Sequence, residues 1–256
     1  MNLFSRIYGK GSPMIILHGL FGMSDNWNSI GKQLAKYFQV HLLDLRNHGK
    51  SPHHIDFNYE VMMQDVIQYI DRFKLRKSIV LGHSLGGKIA MGLASNHSSL
   101  FKKIIVVDIS PKEYDVDFHI NILQILSNLN LKKYNSRKDI DNELEYKIKD
   151  RGVRLFLMKN LYRNEKKEFA WRFNIHTLRD EINNISTADF ILEKTNLPTL
   201  FIKGENSSYI TIDDYQEVKR YFPLSNIKIV KNAGHWVHAE EPIKFFKLVV
   251  DFLKDE

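Results

Sequence analysis

Short apolar runs alternate with amphipathic segments through the first hundred residues of this chain. The segments repeat apolar residues at helical spacing, as in Met62, Val66 and Tyr69. Strands that alternate with helices indicate a mostly parallel sheet covered by helices on both faces. The apolar runs that we predict to be buried strands are residues 14–17, 40–43, 78–81 and 104–107.

The alternation stops after Pro111. Residues 112–190 show helical patterns instead, over 118–129 and over the highly charged stretch 137–163, and they contain few glycines or prolines. A flexible linker would be rich in those residues. We therefore expect this part of the chain to form a helical cap, or lid, inserted into the α/β core.

The strand and helix pattern returns in the last quarter of the chain. Apolar runs at 198–202 and 227–230 predict two more strands. A last amphipathic helix should open at Pro242, because proline is favoured at the first helical position. The predicted core therefore consists of residues 1–111 and 191–256, with the cap at 112–190.

Composition narrows the classes of protein that fit. The chain of 256 residues has no cysteine, which excludes disulfides, thiolate metal sites and cysteine nucleophiles. Its first residues lack the apolar core of a secretory signal, and no apolar run reaches the roughly 20 residues needed to span a bilayer. We expect a cytoplasmic protein of one larger α/β domain.

The chain carries a formal net charge of +7. This charge has two interpretations: it reflects solvated lysine-rich faces, or it serves to attract an anionic substrate or an acidic carrier protein. We do not expect nucleic-acid binding, because no basic block with interleaved aromatic residues is present.

The segment Gly82-His83-Ser84-Leu85-Gly86-Gly87 has the form G-x-S-x-G. It follows a predicted strand and precedes a helical pattern that starts near Lys88. This context is typical of a nucleophile elbow, a sharp turn that presents a serine at its apex. We therefore predict Ser84 as a catalytic nucleophile.

A second loop, His18-Gly19-Leu20-Phe21-Gly22, follows the strand at 14–17. A serine nucleophile needs two N–H donors aimed at the developing oxyanion. One is expected from Leu85, the residue after the nucleophile. We assign the other to Leu20, with Phe21 as its rival, and expect His18 to have a structural role.

His235 lies between the last predicted strand and the last helix, and it is the predicted general base. His238, three residues later, should point away from the site. The carboxylate that orients the imidazole is predicted to be Asp108, because a buried carboxylate at a strand end needs a partner. Glu205 is the alternative, and Asp44 is expected to pair with a nearby cation.

Seven segments together resemble the α/β-hydrolase superfamily, and within it the YbfF-type bacterial esterases. They are Leu17–Gly22, Asp44–Gly49, Gly82–Lys88, Val107–Pro111, Trp171–Asn174, Asn206–Tyr209 and Ala233–Glu240. The resemblance implies an α/β-hydrolase fold with a helical cap inserted after strand six, and an acid residue that follows the same strand. It also implies a serine esterase or thioesterase acting on acyl esters, including acyl-CoA thioesters. Residues 112–165, rich in lysine and asparagine, depart from the group.

These observations lead to the hypothesis of acyl transfer to water, with no metal or organic cofactor required. Phe21 and Trp236 are expected to line the acyl site. Two alternatives remain within this fold: an esterase for methyl esters linked to a carrier protein, and a carbon–carbon bond hydrolase or lyase. A further alternative is a binding protein that has kept the fold without catalysis.

Overall fold

A seven-stranded sheet forms the centre of the computed structural model, which describes residues 1–254. The strands in chain order are β1 (Ser5–Tyr8), β2 (Pro13–Leu17), β3 (Gln39–Leu43), β4 (Ser78–His83), β5 (Phe101–Val107), β6 (Leu161–Arg163), β7 (Phe169–Trp171), β8 (Thr199–Gly204) and β9 (Ser225–Val230). The central sheet has the order β1-β3-β2-β4-β5-β8-β9, and β6 and β7 form a separate antiparallel pair. In the central sheet β1 pairs antiparallel with β3, and all other pairs are parallel. The predicted mostly parallel sheet is therefore confirmed.

Helices cover both faces of this sheet. They are α1 (Asn28–Leu34), α2 (Tyr59–Phe73), α3 (Leu85–Asn96), α8 (Asp214–Tyr221), α9 (Val237–Glu240) and α10 (Pro242–Lys254). Alternate residues of each strand point to opposite faces, so Met14 packs in the cluster that holds α1 and α10, whereas Ile15 packs in the cluster that holds α2 and α3. The start of α10 at Pro242 agrees with the sequence prediction.

The segment between β5 and β8 interrupts the alternation. Its described residues contain four α-helices and the hairpin of β6 and β7; the helices are α4 (Asp117–Ser127), α5 (Arg137–Lys147), α6 (Arg151–Met158) and α7 (Ile175–Glu181). We refer to residues 112–190 as the inserted segment. Its two ends meet, because the Tyr114 N–H donates to the Ser186 carbonyl at 2.9 Å. In chain order the segment follows β5, the fifth strand of the described residues, whereas the resemblance implies an insertion after strand six.

The inserted segment also differs from the sequence prediction. The stretch 137–163, expected to be helical, is divided at Asp150, whose side chain accepts a hydrogen bond from the Val153 N–H and caps α6. The chain then enters β6 at Leu161. Within residues 1–254 no helix is long and apolar enough to cross a membrane.

Candidate active site

Ser84 is the single residue between the end of β4 and the start of α3. Its backbone has φ 51° and ψ −115°, a conformation that L residues rarely adopt and that costs about 1–3 kcal/mol. The turn is closed so tightly that a Cβ added at Gly82 would lie 2.0 Å from the Gly86 carbonyl oxygen. The glycine that the motif requires before the serine is thus explained by backbone contact.

Asp108 and His235 form a hydrogen-bonded pair at the same edge of the sheet. Asp108 directly follows β5 and is fully buried, and its Oδ2 accepts from His235 Nδ1 at 2.8 Å. The Gly204 N–H donates to the other carboxylate oxygen at 3.0 Å, and the Ser207 hydroxyl donates to Oδ2. A proton on Nδ1 leaves Nε2 of the neutral imidazole able to accept another proton.

The two other carboxylates considered from the sequence lie elsewhere. Glu205 is exposed, and its carboxylate accepts from the Asn232 N–H at 3.0 Å, which braces a loop. The expectation that Asp44 pairs with a cation is wrong. Within residues 1–254 its oxygens accept instead from the backbone N–H groups of Ser24 and Lys50, at 2.6 and 2.8 Å.

The loop after β2 packs directly against Ser84, because a Cβ at Gly19 would lie 3.2 Å from the Ser84 Cβ. The Phe21 N–H already donates to His48 Nε2 at 3.1 Å. In the described part of the chain, the N–H groups of Leu20 and Leu85 have no hydrogen-bond partner. These two donors are therefore available to a ligand beside the serine.

Ser84, His235, Leu20, Phe21 and Trp236 all line one cavity of about 340 Å³. Ser84 Oγ makes no hydrogen bond to any residue of the range 1–254. The inserted segment supplies the opposite wall, which is mainly apolar: Phe118, His119, Ile122, Asp150, Val153, Phe156 and Leu157. The cavity suits a substrate with one reactive polar group and an apolar arm.

Three other histidines near the site, His18, His83 and His238, make contacts that brace the surrounding backbone and rings. His83 is buried, its Nε2 donates to the His235 carbonyl at 2.9 Å, and burial holds its pKa well below the usual value. His18 accepts from the Leu45 N–H at 3.0 Å, and burial lowers its pKa to about 4. His238 stacks on Trp27 at 3.9 Å, turned away from the cavity of Ser84 as the sequence predicts.

Several residues that hold the site in place were not assigned from the sequence. The Tyr209 ring stacks on His235 with centroids 3.9 Å apart. The Glu240 carboxylate accepts from the N–H groups of Gly234 and Trp236, at 2.6 and 3.1 Å, and so fixes the loop around His235. Buried Asn160 donates from the inserted segment to the Phe21 carbonyl at 2.7 Å. Tyr209 and Glu240 lie in segments that carry the family resemblance, whereas Asn160 has no such signal.

Comparison with known proteins identifies the family. A family model described as the α/β hydrolase fold matches residues 12–129. The sn-1-specific diacylglycerol lipase ABHD11 of Danio rerio is 34% identical over 253 residues, which cover 96% of this chain and 80% of the relative. The chain belongs to the α/β-hydrolase family. Esterase YbfF of Escherichia coli is 32% identical to this hydrolase over 246 residues, covering 96% of this chain and 94% of the relative.

A solved structure supports the same conclusion. The structure of a marine microorganism esterase resembles this α/β hydrolase with a TM-score of 0.95 and 40% identity, over 98% of both chains. The predicted fold class and the predicted resemblance to YbfF-type esterases are confirmed. Named relatives include esterases and lipases, and this member of the family is a carboxylic ester hydrolase.

Proposed function

We propose that this hydrolase cleaves carboxylic esters through an acyl-enzyme, with Ser84 as nucleophile, His235 as general base and Asp108 as the carboxylate that orients the imidazole. The hydrogen bond of 2.8 Å between His235 and Asp108, at the edge of the cavity that Ser84 lines, carries the proposal. The strained elbow supports it, because it turns the hydroxyl of Ser84 out of the sheet toward the cavity.

The reaction follows from these groups. Ser84 Oγ attacks the acyl carbonyl carbon while His235 Nε2 takes the hydroxyl proton, and the hydrogen bond between them forms as substrate fills the cavity. The N–H groups of Leu20 and Leu85 receive the carbonyl oxygen as it becomes an oxyanion, each contributing about 3 kcal/mol. The proton then passes to the leaving oxygen, and the alcohol departs. Water attacks the acyl-enzyme with His235 again as base, which releases the acid and returns the proton to Ser84.

The substrate proposed is an ester with an apolar acyl group. This group lies beneath the inserted segment, residues 112–190, which acts as a cap. The apolar wall formed by Phe118, Ile122 and Leu157 supports this choice. Relatives with named activities fit it, since one is a diacylglycerol lipase and others are esterases. The same groups can attack a thioester such as an acyl-CoA. Substrates with an oxygen leaving group and substrates with a sulfur leaving group should therefore both be assayed.

Replacement of Ser84 by alanine tests the proposal. On p-nitrophenyl butyrate, Ser84→Ala should lower kcat by about 10⁵-fold or more, because the nucleophile and its base act as a unit. A fluorophosphonate probe should label the wild-type protein on the peptide that contains Ser84 and should not label the variant.

Ser95→Ala is the control, because Ser95 is a serine of α3, the helix that follows Ser84, and its hydroxyl donates to the Glu193 carbonyl at 2.7 Å, outside the cavity. That variant should keep kcat within a few-fold of wild type. Substantial turnover by a folded Ser84→Ala protein contradicts the assignment of the nucleophile.

A further inference from the structure

Lys88 is a buried cation one helical turn after Ser84. Its side chain is 1% exposed, and its ammonium donates hydrogen bonds to the carbonyls of Lys112 and Thr187, the latter at 3.2 Å. The same ammonium lies 5.2 Å from the ring centroid of Tyr114 and 5.8 Å from that of Phe190.

All four partners of Lys88 lie near the ends of the inserted segment. Lys112 and Tyr114 are where the chain leaves the core, and Thr187 and Phe190 are where it returns. One cation therefore ties both ends of the segment to the helix whose first residue, Leu85, is the proposed oxyanion donor.

Such a cation is costly to bury. Within residues 1–254 no carboxylate lies at ion-pair distance from Lys88, and burial lowers its pKa to about 7, an effect that the charge of Glu113 partly offsets. A methionine would fill much of the same space without the desolvation penalty. The two carbonyls and two aromatic rings therefore compensate a charge that packing alone does not need.

A chain of contacts leads from Lys88 to the proposed base. The Tyr114 hydroxyl donates to the Tyr209 carbonyl and accepts from the Ser110 N–H at 2.9 Å, so it joins the strand end that carries Asp108 to the loop of Tyr209. The Tyr209 ring in turn stacks on His235 at 3.9 Å. Movement of Tyr114 would therefore release the surface against which the imidazole packs.

We propose that Lys88 is a positioning residue for ester hydrolysis: it holds the two ends of the inserted segment and the Tyr114 ring, and through Tyr209 it keeps His235 in its reactive orientation. The proposal rests on the function proposed above, because it depends on the role given to His235. A purely structural role for Lys88 would change thermal stability but not the reactivity of the folded enzyme.

The first test compares Lys88→Met with Lys103→Met. Lys103 is the control, since its ammonium also donates to a backbone carbonyl, that of Phe252 at 3.0 Å, lies 5.2 Å from the Phe252 ring, and does not line the cavity. At a temperature where both variants are folded, Lys88→Met should lower kcat and the rate of fluorophosphonate labelling by about 10- to 100-fold. Lys103→Met should retain both rates.

Tyr114→Phe provides a second variant, which keeps the ring beneath the ammonium but removes the hydroxyl that holds Tyr209. It should also lower kcat and the labelling rate, and the double variant should be no slower than the slower single variant, because both act along one path. If Lys88→Met does not fold, Lys88→Gln takes its place, because an amide removes the charge and keeps a donor for one of the two carbonyls.

Wild-type rates in either folded variant overturn the proposal. A double variant whose loss of rate equals the product of the two single losses also overturns it. Failure of the proposed function is a different result, since Ser84→Ala would then remain active.

Discussion

The core and the inserted segment contribute to the same cavity in different ways. The core supplies the polar groups, Ser84, Asp108 and His235, from three loops at one edge of its sheet. The inserted segment supplies an apolar wall from the helices α4 and α6. In the function proposed above, the chemistry depends on groups placed by a regular sheet. The choice of substrate would then depend on side chains of the inserted segment, whose residues 112–165 depart from the group that the chain resembles.

The sharpest test of the core's part compares two carboxylates that each follow a strand. Asp108→Asn should lower kcat by about 10³- to 10⁴-fold, because the amide cannot stabilise the imidazolium and favours the wrong tautomer of His235. Asp44→Asn is the control, since within residues 1–254 its carboxylate accepts from the backbone N–H groups of Ser24 and Lys50 and contacts no proposed catalytic residue. It should lower the melting temperature while kcat of the folded protein stays within a few-fold of wild type. A kcat for Asp108→Asn above a tenth of wild type would remove Asp108 from the mechanism.

The core was predictable because its buried strands are continuous aliphatic runs. The runs at 14–17 and 104–107 lie within β2 and β5 as the structure has them. The strand β1 was missed because it is a half-buried edge strand of four residues, in which Ile7 is exposed. An edge strand of this kind carries no continuous hydrophobic signal.

The hairpin of the inserted segment was missed for another reason. Its strands are three residues long, and its turn places Lys167 at φ 61°, where a glycine or asparagine would have signalled a turn. The positive φ is held by the surrounding hydrogen bonds, since the Lys167 N–H donates to the Asn164 carbonyl at 2.8 Å. Hydrogen bonds within the hairpin therefore hold a backbone conformation that the residue type does not favour.

The proposed catalytic groups could be predicted because parallel strands bring their carboxyl ends to one edge. Their supports could not. Glu240 holds the loop of His235 through two N–H groups, and this contact depends on the conformation of residues 234–240, which no residue pattern specifies. The Ser207 hydroxyl reaches Asp108 only because β8 and β5 are neighbours in the folded sheet.

Buried histidines of the core predict a steep loss of stability in acid. Burial lowers the pKa of His18 to about 4 and those of His48 and His238 to about 3. Their unfolded-state pKa is about 6.5, so between pH 6.5 and 4 the unfolded chain binds more protons than the folded chain. The free energy of unfolding therefore falls as pH falls through this window. The slope is about 1.4 kcal/mol per pH unit for each histidine and about 4 kcal/mol per pH unit for the three together.

Urea unfolding at several pH values between 7 and 4.5 measures this slope. His238→Phe keeps a ring against Trp27 and should reduce the slope by about 1.4 kcal/mol per pH unit. An unchanged slope in that variant would show that His238 is already protonated in the folded protein.

The smallest expected effect tests the part assigned to the inserted segment. Val153 lines the cavity of Ser84, and Leu155 on the same helix does not. Val153→Phe should lower kcat/KM for p-nitrophenyl decanoate about tenfold and leave the acetate ester nearly unchanged, because the larger ring fills space that only a long acyl chain needs. Leu155→Phe is the matched control and should leave the ratio of the two substrates as it is in wild type. If Val153→Phe lowers kcat/KM equally for both esters, then α6 supports the catalytic groups. The assignment of chemistry to the core and substrate choice to the inserted segment would then be wrong.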